Sequence, residues 1–334
     1  MDTLPGFILI GGQRCGRAEH RRRSGQFCCR LASMDIAISG SSGLIGTALI
    51  SELEREGHRV VRLVRPGATP GTGDIRWDPE GGTVDAAGLE GVGAVVHLAG
   101  VPIGDHRWTP GYKEAIVRSR VVGTDLLART VAGLQTPPAV FASASAVGYY
   151  GNRGEEVLTE ASGPGVGFRT RVCSAWEGAA APARDAGIRL VILRSGNVLT
   201  KLGGVLPYML IPFRLGLGAK FGNGSQWFPW ISLDDEVGAI VHSLTHRQII
   251  GPVNICAPQL VRNAQFTKAL GRALHRPTPW RAPGFALAVI AGKERADEVL
   301  LGSERVEPAV LNSTGYQFHD PALDLALRRI TAAD

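Results

Sequence analysis

Three evenly spaced glycines follow a short apolar run near the start of the chain. The run is Asp35–Ser39, and the glycines are Gly40, Gly43 and Gly46. An amphipathic segment begins at about Leu44, so the predicted order is strand, turn and helix. Glycines let such a turn approach a pyrophosphate, and the N–H groups and dipole of the helix N-terminus attract phosphate. The spacing therefore predicts a dinucleotide-binding turn, and the alternative is a glycine-rich turn without a ligand.

A basic residue stands where the second predicted strand ends. The strand is Val60–Val64, and Arg65 follows Gly46 by 19 residues. In dinucleotide-binding folds an acidic residue near this position binds the ribose 2′-hydroxyl of NAD, and here there is none. Because a guanidinium pairs well with a 2′-phosphate, Val64 and Arg65 predict NADP(H). The alternative is a solvated arginine at a strand end.

Hydroxyl side chains follow a later strand, predicted at Val140–Ser145. Ser143 and Ser145 lie at its carboxyl end, and Tyr149 and Tyr150 follow directly. Ligands bind at the carboxyl ends of strands in open α/β sheets, so these groups are proton donors near the expected nicotinamide. We expect Ser145 to orient a substrate oxygen and Tyr149 to act as acid or base. The alternative is that they are turn serines and packing aromatics.

Alternating strand and helix patterns must position these residues. This alternation predicts an α/β fold with a Rossmann-type doubly wound parallel sheet. His97 lies inside an apolar strand and is interpreted as a core histidine rather than a catalytic one. The further predicted elements are strands at 74–78, 92–99 and 188–193 and helices at 44–57, 108–134 and 168–186.

The composition changes at about residue 200. Residues 34–200 are predicted to form the NADP-binding Rossmann domain, with sheet elements continuing to about 257. Residues 201–334 are predicted to form a smaller substrate-side lobe, with a helical module at about 279–330. Residues 202–230 are rich in glycine, proline and aromatic side chains, a composition that can wrap a pocket.

The net charge of +6 is concentrated in one stretch, because residues 1–33 hold six arginines and two acidic residues. The remainder is nearly neutral, which argues against a nucleic-acid partner. Apolar residues make up 44% and charged residues 20%, as in ordinary globular enzymes. No apolar run reaches the roughly 18 residues of a membrane span, so no membrane partner is expected.

Five cysteines are present, and their spacing suggests neither a disulfide framework nor a zinc site. We therefore expect a cytoplasmic protein without a bound metal.

The first 33 residues have no helical or strand periodicity. They are read as a disordered basic arm, as an arginine-rich targeting peptide or as an extension absent from the native protein. We favour the last, because Met34 directly precedes Asp35, where the first strand begins.

Taken together, these motifs resemble an extended short-chain dehydrogenase/reductase. The resemblance is to the NAD-dependent epimerase/dehydratase-like, or sugar-nucleotide epimerase-like, branch that carries a C-terminal domain of unknown function. It runs from Met34 almost to the end of the chain. The motifs that carry it are Gly40–Gly46, Ser119-Arg120, Ser145–Gly151, Arg194-Ser195-Gly196, Pro212–Gly218 and Phe228–Ile231.

The resemblance implies a set of NADP(H) contacts. From its spacing alone, Arg120 would be a solvated helix charge. The resemblance also implies a small-molecule substrate and, by analogy, a homodimer through the helices at 108–134 and 168–186. The implied contacts are Gly40, Ser42, Gly43, Leu44, Ile45, Gly46, Val64, Arg65, Leu98, Ala99, Gly100, Arg120 and Val198.

One departure from the family pattern concerns catalysis. The usual pair is Tyr-x-x-x-Lys, in which the lysine lowers the tyrosine pKa, and no tyrosine here has a lysine four residues later. Aligned on Trp176-Glu177, Arg169 and Cys173 occupy those places. Two functions follow: an NADP(H)-dependent oxidoreductase or epimerase, or a non-catalytic NADP(H)-binding regulatory protein.

Overall fold

The structure, a computed structural model, describes residues 33–332, so the interpretations of residues 1–32 lie outside it. The strands, in chain order, are β1 Asp35–Ser39, β2 Arg59–Val64, β3 Ile75–Asp78, β4 Thr83–Val84, β5 Ala94–His97, β6 Val140–Ala146, β7 Val157–Leu158, β8 Arg189–Ser195, β9 Asn197–Thr200, β10 Gly203–Gly204, β11 Ala219–Phe221, β12 Trp230–Ser232, β13 Gly251–Ile255, β14 Trp280–Ala282 and β15 Arg305–Val306.

Eleven α-helices are present in the described residues. They are α1 Leu44–Arg55, α2 Pro110–Ala132, α3 Phe168–Ala179, α4 Ala181–Asp185, α5 Leu206–Arg214, α6 Leu233–Thr245, α7 Asn263–Ala273, α8 Gly284–Ala291, α9 Lys293–Arg295, α10 Ala309–Ser313 and α11 Leu323–Thr331. Short 3₁₀ turns lie at Ala87–Leu89 and Val147–Tyr149, and a π-helical turn lies at Ala296–Leu300.

Eight strands form the central sheet, in the order β13-β8-β6-β5-β1-β2-β3-β4. All neighbours pair in parallel except β3 and β4, which are antiparallel. The chain runs outward from β1 through β2 and β3, then returns to β5 on the other side of β1. This reversal creates the crevice in which doubly wound sheets bind ligands. The predicted Rossmann-type α/β fold is therefore confirmed.

Apolar side chains cover both faces of the sheet. On β1, Ile36 and Ile38 point into one buried cluster and Ala37 into the other, because alternate strand residues face opposite sides. Helix α6 packs on the first face and α2 on the second. The strand ends that carry polar residues thus belong to a sheet that is packed on both faces.

The helix predicted at 168–186 is two helices, α3 and α4, and this prediction was wrong. Ala180 ends the first, and Pro182 stands in the first turn of the second. Proline has no N–H to donate to the preceding turn and its ring crowds that turn, so it favours a break or kink in the helix at this point.

Between residues 33 and 332, no helix is long and apolar enough to cross a membrane.

Candidate functional site

The glycine turn brings the ends of β1 and β5 into close contact. Gly40 has a φ of +71°, and a Cβ there would lie 2.8 Å from the carbonyl carbon of Leu98 and 2.9 Å from the nitrogen of Ala99. A Cβ on Gly46 would overlap the carbonyl oxygen of Gly40. Only glycine fits at either position, so the local sequence determines how closely helix α1 approaches the strands.

The N-terminus of α1 is open. Its N-cap is Gly43, which has extended backbone and receives no side-chain cap from the described residues. Ser42 and Gly43 are exposed, whereas Leu44 and Ile45 are partly buried and pack on the core. The first N–H groups of the helix are therefore available to an anion.

Arg65 follows β2 and is exposed. Its side chain makes no hydrogen bond or ion pair with any residue between 33 and 332, whereas Arg62 of the same strand pairs with Asp74 at 2.6 Å. A strand-end cation without a protein partner is suited to bind a phosphate.

Arg120 of α2 lies under the loop that follows β5. Its Nη1 donates to the carbonyl oxygens of Val101, at 2.9 Å, and Ile116, at 3.2 Å, and its guanidinium lies 4.9 Å from the Trp176 ring. Burial lowers the pKa of Arg120, and it pairs with no carboxylate in the described part of the chain. A Cβ on Gly100 would lie 3.4 Å from the arginine Cζ. Arg120 is thus a partly buried cation beside the loop that follows β5.

The remaining predicted contact, Val198, lies on β9. A Cβ on Gly204 would lie 3.2 Å from the Val198 oxygen and 3.9 Å from Leu44, so Val198 and α1 meet across that glycine. The structure thus brings the predicted cofactor residues, from Gly40 to Val198, to one edge of the sheet. Their contact with a cofactor stays a prediction.

Ser145 belongs to a buried polar network at the ends of β6 and β8. Its Oγ donates to Oε1 of Glu177 at 2.6 Å, and Arg194 donates to both oxygens of the same carboxylate at 2.9 and 2.8 Å. Burial opposes the charge of Arg194, but Glu177 keeps the arginine pKa above its ordinary value. The hydroxyl proton of Ser145 is therefore committed to Glu177.

The network continues to Tyr150 and Asn254. Arg194 donates to the Tyr150 hydroxyl at 2.9 Å, which donates to Oδ1 of Asn254 at 2.7 Å. Burial raises the pKa of Tyr150 to about 12. Tyr150 is accordingly a structural member of the network.

Tyr149 differs from its neighbour. Its ring is only partly buried and lies 3.6 Å from the Cζ of Arg194, while its hydroxyl has no hydrogen-bond partner among the described residues. Of the two tyrosines, only Tyr149 keeps an unengaged hydroxyl. The predicted catalytic roles of Ser145 and Tyr149 stay predictions.

Arg169 and Cys173, the residues expected at the places of the family's tyrosine and lysine, both lie on α3. Nη1 of Arg169 donates to Oε1 of the buried Glu304 at 2.7 Å. Burial raises the pKa of the Cys173 thiol to about 11, so it is neutral. Arg169 is engaged in an ion pair with Glu304 and the Cys173 thiol is uncharged, so neither supplies the free cation that lysine provides in the family pair.

A second buried carboxyl lies nearby. Ser195, next to Arg194, donates to Oε1 of Glu236 at 2.6 Å, and Oε2 of Glu236 is buried without a partner in the described residues. Burial raises the pKa of Glu236 to about 8.

His97 is a core residue, as predicted. Its Nδ1 lies 2.6 Å from the Ser39 hydroxyl, its ring meets Trp77 edge-on, and burial lowers its pKa to about 3. The histidine is therefore a neutral, fully buried core side chain at physiological pH.

Sequence reasoning missed the partners that complete the network. In the sequence, Glu177 serves only to align the Trp176-Glu177 pair with the family pattern, and Arg194 is only part of the motif at a strand end. The adjacent Trp176-Glu177 and the charged residue inside an apolar strand were usable signals, because buried charges require partners. Glu304 had no such local signal.

Two family models match the chain. One, described as NAD dependent epimerase/dehydratase family, matches residues 36–256, and the other, Domain of unknown function (DUF1731), matches residues 282–330.

Named relatives cover nearly the same span. Epimerase family protein ML0860 from Mycobacterium leprae is 44% identical over 299 residues, covering 89% of this chain and 95% of the relative. Epimerase family protein SDR39U1 from Homo sapiens is 36% identical over 302 residues, covering 90% of this chain and all of the relative. A crystal structure of human SDR39U1 (isoform 2) with NADPH aligns with a TM-score of 0.83 and 34% identity, covering 90% of this chain and all of that one.

Proposed function

The chain belongs to the NAD dependent epimerase/dehydratase family, and we propose that it binds NADP(H) and acts as an oxidoreductase or epimerase on a small molecule. The observation that carries the proposal is the glycine turn, in which a Cβ on Gly40 would meet Leu98 and one on Gly46 would overlap Gly40. The human relative crystallised with NADPH supports the choice of cofactor.

The residues fit the two halves of this cofactor separately. The turn Gly40–Gly46 would hold the pyrophosphate, and Arg65 would hold the 2′-phosphate. We call these residues together the adenosine end of the site. The ends of β6 and β8, with Tyr149 and the facing side of α3, form the nicotinamide end, because they lie across the switch point from β2.

Tyr149 is the proposed acid or base. When bound, NADP(H) would supply a hydride while a proton joins the substrate oxygen, or accept a hydride while a proton leaves that oxygen. The unengaged Tyr149 hydroxyl can hold that proton, and Arg194 beneath its ring fixes the orientation of the ring. Ser145 and Glu177 keep the end of β6 in place.

The test measures NADPH binding by calorimetry and NADPH oxidation against a panel of carbonyl compounds. We expect binding in all variants and oxidation that falls about 10²-fold or more in Tyr149→Phe. Tyr208→Phe, an exposed tyrosine on α5, is the matched control and should behave as wild type. Equal rates in wild type and Tyr149→Phe would exclude this role.

A non-catalytic NADP(H)-binding regulatory protein is the second candidate. The specific observation in its favour is that Arg169 is held by Glu304 and Cys173 is a neutral thiol where the family pair should be. NADPH binding without oxidation of any compound in the panel would favour this candidate.

We also propose that the protein forms a homodimer, with a small molecule rather than nucleic acid as its other partner. A surface groove of about 470 Å³ lies between α2 and α3 and is lined partly by the small residues Ala175, Gly178 and Ala179. Small side chains let helices approach closely. Sedimentation velocity should show a dimer that Ala175→Arg converts to a monomer.

A cytoplasmic location is proposed as well. Cys173 and Cys256 are both buried free thiols, a state that a reducing compartment maintains.

A further inference from the structure

We propose that Glu298 and Glu304, in the C-terminal segment matched as a domain of unknown function, are positioning residues for the nicotinamide end of the site. They fix the N-terminus of α3, whose inner face contacts the end of β6. The inference rests on the proposed NADP(H) binding and assigns a role to a segment that carries none of the dinucleotide motifs.

Glu298 caps α3 from a distant part of the chain. Its Oε1 accepts from the N–H of Phe168 at 2.7 Å and its Oε2 from that of Arg169 at 2.9 Å. The N-cap residue, Gly167, supplies no side chain, has a φ of +120° and leaves no room for one, since a Cβ would lie 2.8 Å from Oε1 of Glu298. A carboxylate on these N–H groups satisfies donors that the helix leaves open and also complements the helix dipole.

Glu304 anchors the first inward-facing side chain of the same helix. It is 4% exposed and accepts from Nη1 of Arg169, which also donates to the main-chain oxygen of Glu298 at 2.8 Å. Burial would lower the pKa of Arg169, but the nearby carboxylates outweigh it and raise the pKa, so we treat the pair as ionised. Two carboxylates thus hold one helical turn.

That turn controls the end of β6. Arg169, Cys173 and Glu177 are spaced four residues apart and lie on one face of α3. Arg169 packs on the strand-end turn, where a Cβ on Gly148 would lie 2.8 Å from its Nε, and Glu177 accepts from Ser145. A shift of α3 therefore moves the residues next to Tyr149.

The adenosine end does not depend on these contacts. It is built on β1, α1 and β2, and β5 separates β1 from β6 in the sheet. Loss of Glu298 or Glu304 should therefore affect the two halves of the cofactor differently.

The experiment uses two probes on the full chain. NADPH occupies both ends, whereas adenosine 2′,5′-bisphosphate occupies only the adenosine end. Both are titrated by calorimetry into wild type, Glu298→Gln and Glu304→Gln. Asp297→Asn is the matched control, because Asp297 adjoins Glu298 but pairs with Lys293 on the surface, where both side chains are well exposed.

We expect NADPH to bind about fivefold or more weakly to each glutamine variant, because each loses a charge-assisted contact to α3. The affinity for adenosine 2′,5′-bisphosphate should stay within about twofold of wild type, and Asp297→Asn should change neither. A role confined to overall stability would instead weaken both probes together.

Unchanged NADPH affinity in both variants, or an equal loss for both probes, would overturn the positioning role. If one variant does not fold, the other still decides, because each removes a different contact to the same turn. Wild-type protein that binds neither probe would instead refute the proposed NADP(H) function, so the two failures are distinguishable.

Discussion

The adenosine end consists mainly of backbone groups from one short segment of the chain. The nicotinamide end consists of side chains that come from three segments far apart in the sequence. Within residues 35–65, glycines and open N–H groups shape the first end, and its cation, Arg65, has no partner among the described residues. At the second end, Arg194 is matched by Glu177 and Arg169 by Glu304.

The difference shows how the nicotinamide end can lack the Tyr-x-x-x-Lys pair and still be held together by paired buried charges. A buried charge needs a partner, so each change at the nicotinamide end must be matched by another. The exposed, phosphate-binding adenosine end has no such requirement. We therefore expect substitutions at the nicotinamide end to lower the stability of the fold, and substitutions at the adenosine end to lower the affinity for the cofactor.

The largest expected effect is at the nicotinamide end. Glu177→Gln leaves Arg194, whose side chain is 4% exposed, without a matching charge. We expect the free energy of unfolding to fall by about 3–5 kcal/mol, measured by urea denaturation. The exposed pair of Arg272 and Asp324 provides the control, and Asp324→Asn should cost less than about 1 kcal/mol. If both variants lost the same free energy of unfolding, the buried and exposed ion pairs would not differ and the comparison would be wrong.

At the adenosine end, the shape of the backbone should determine the affinity for NADPH. Gly40→Ala places a Cβ against Leu98 and Ala99, so NADPH affinity should fall about 100-fold, or about 2.7 kcal/mol. Gly57→Ala separates backbone strain from crowding, because Gly57 has a φ of +90° with open space around it. The comparison fails if both variants bind NADPH equally well.

Arg65→Ala tests the exposed cation. Loss of a charge-assisted phosphate contact should weaken the binding of NADPH by about 1.5–3 kcal/mol and leave the binding of NADH unchanged. The urea midpoint should stay the same, since Arg65 has no partner in residues 33–332 to lose. Equal weakening of NADPH and NADH would refute the assignment of the 2′-phosphate to Arg65.

The smallest effect concerns pH. Burial raises the pKa of Glu236 from 4.5 to about 8, so the folded protein holds a proton that the unfolded chain releases. Stability from this group is full below pH 4.5 and declines until about pH 8. We expect wild type to lose about 1 kcal/mol more than Glu236→Gln between pH 6 and 7 in parallel denaturant titrations. Parallel pH profiles would show that Glu236 is ionised in the fold.

The local parts of the molecule were predictable. The strand–turn–helix at Gly40, the end of β2 at Val64 and the buried state of His97 all follow from patterns a few residues long. The family resemblance is confirmed by the matched model. Each of these features depends on neighbouring residues, which the sequence shows directly.

The rest depends on contacts between distant residues. The N-cap of α6 is Ser232, which accepts from the N–H of Asp235 at 3.2 Å, although Asp234 beside it is a residue type that suits the position equally well. The sequence places Ser145 at the end of β6, but it does not show that the Ser145 hydroxyl donates to Glu177, on a different element. No pattern in the sequence pairs residues so far apart.

The cap on α3 also has a consequence for synthesis. Glu298 lies 130 residues beyond the helix turn that it completes. A chain leaving the ribosome at roughly 5–20 residues per second therefore exposes the whole glycine turn many seconds before Glu298 emerges. During that interval the strand, turn and helix of the adenosine end have all been synthesised, while the first turn of α3 still lacks its cap. The residues of the adenosine end are therefore complete early in synthesis, whereas those that hold the nicotinamide end are complete only when Glu298 and Glu304 have emerged.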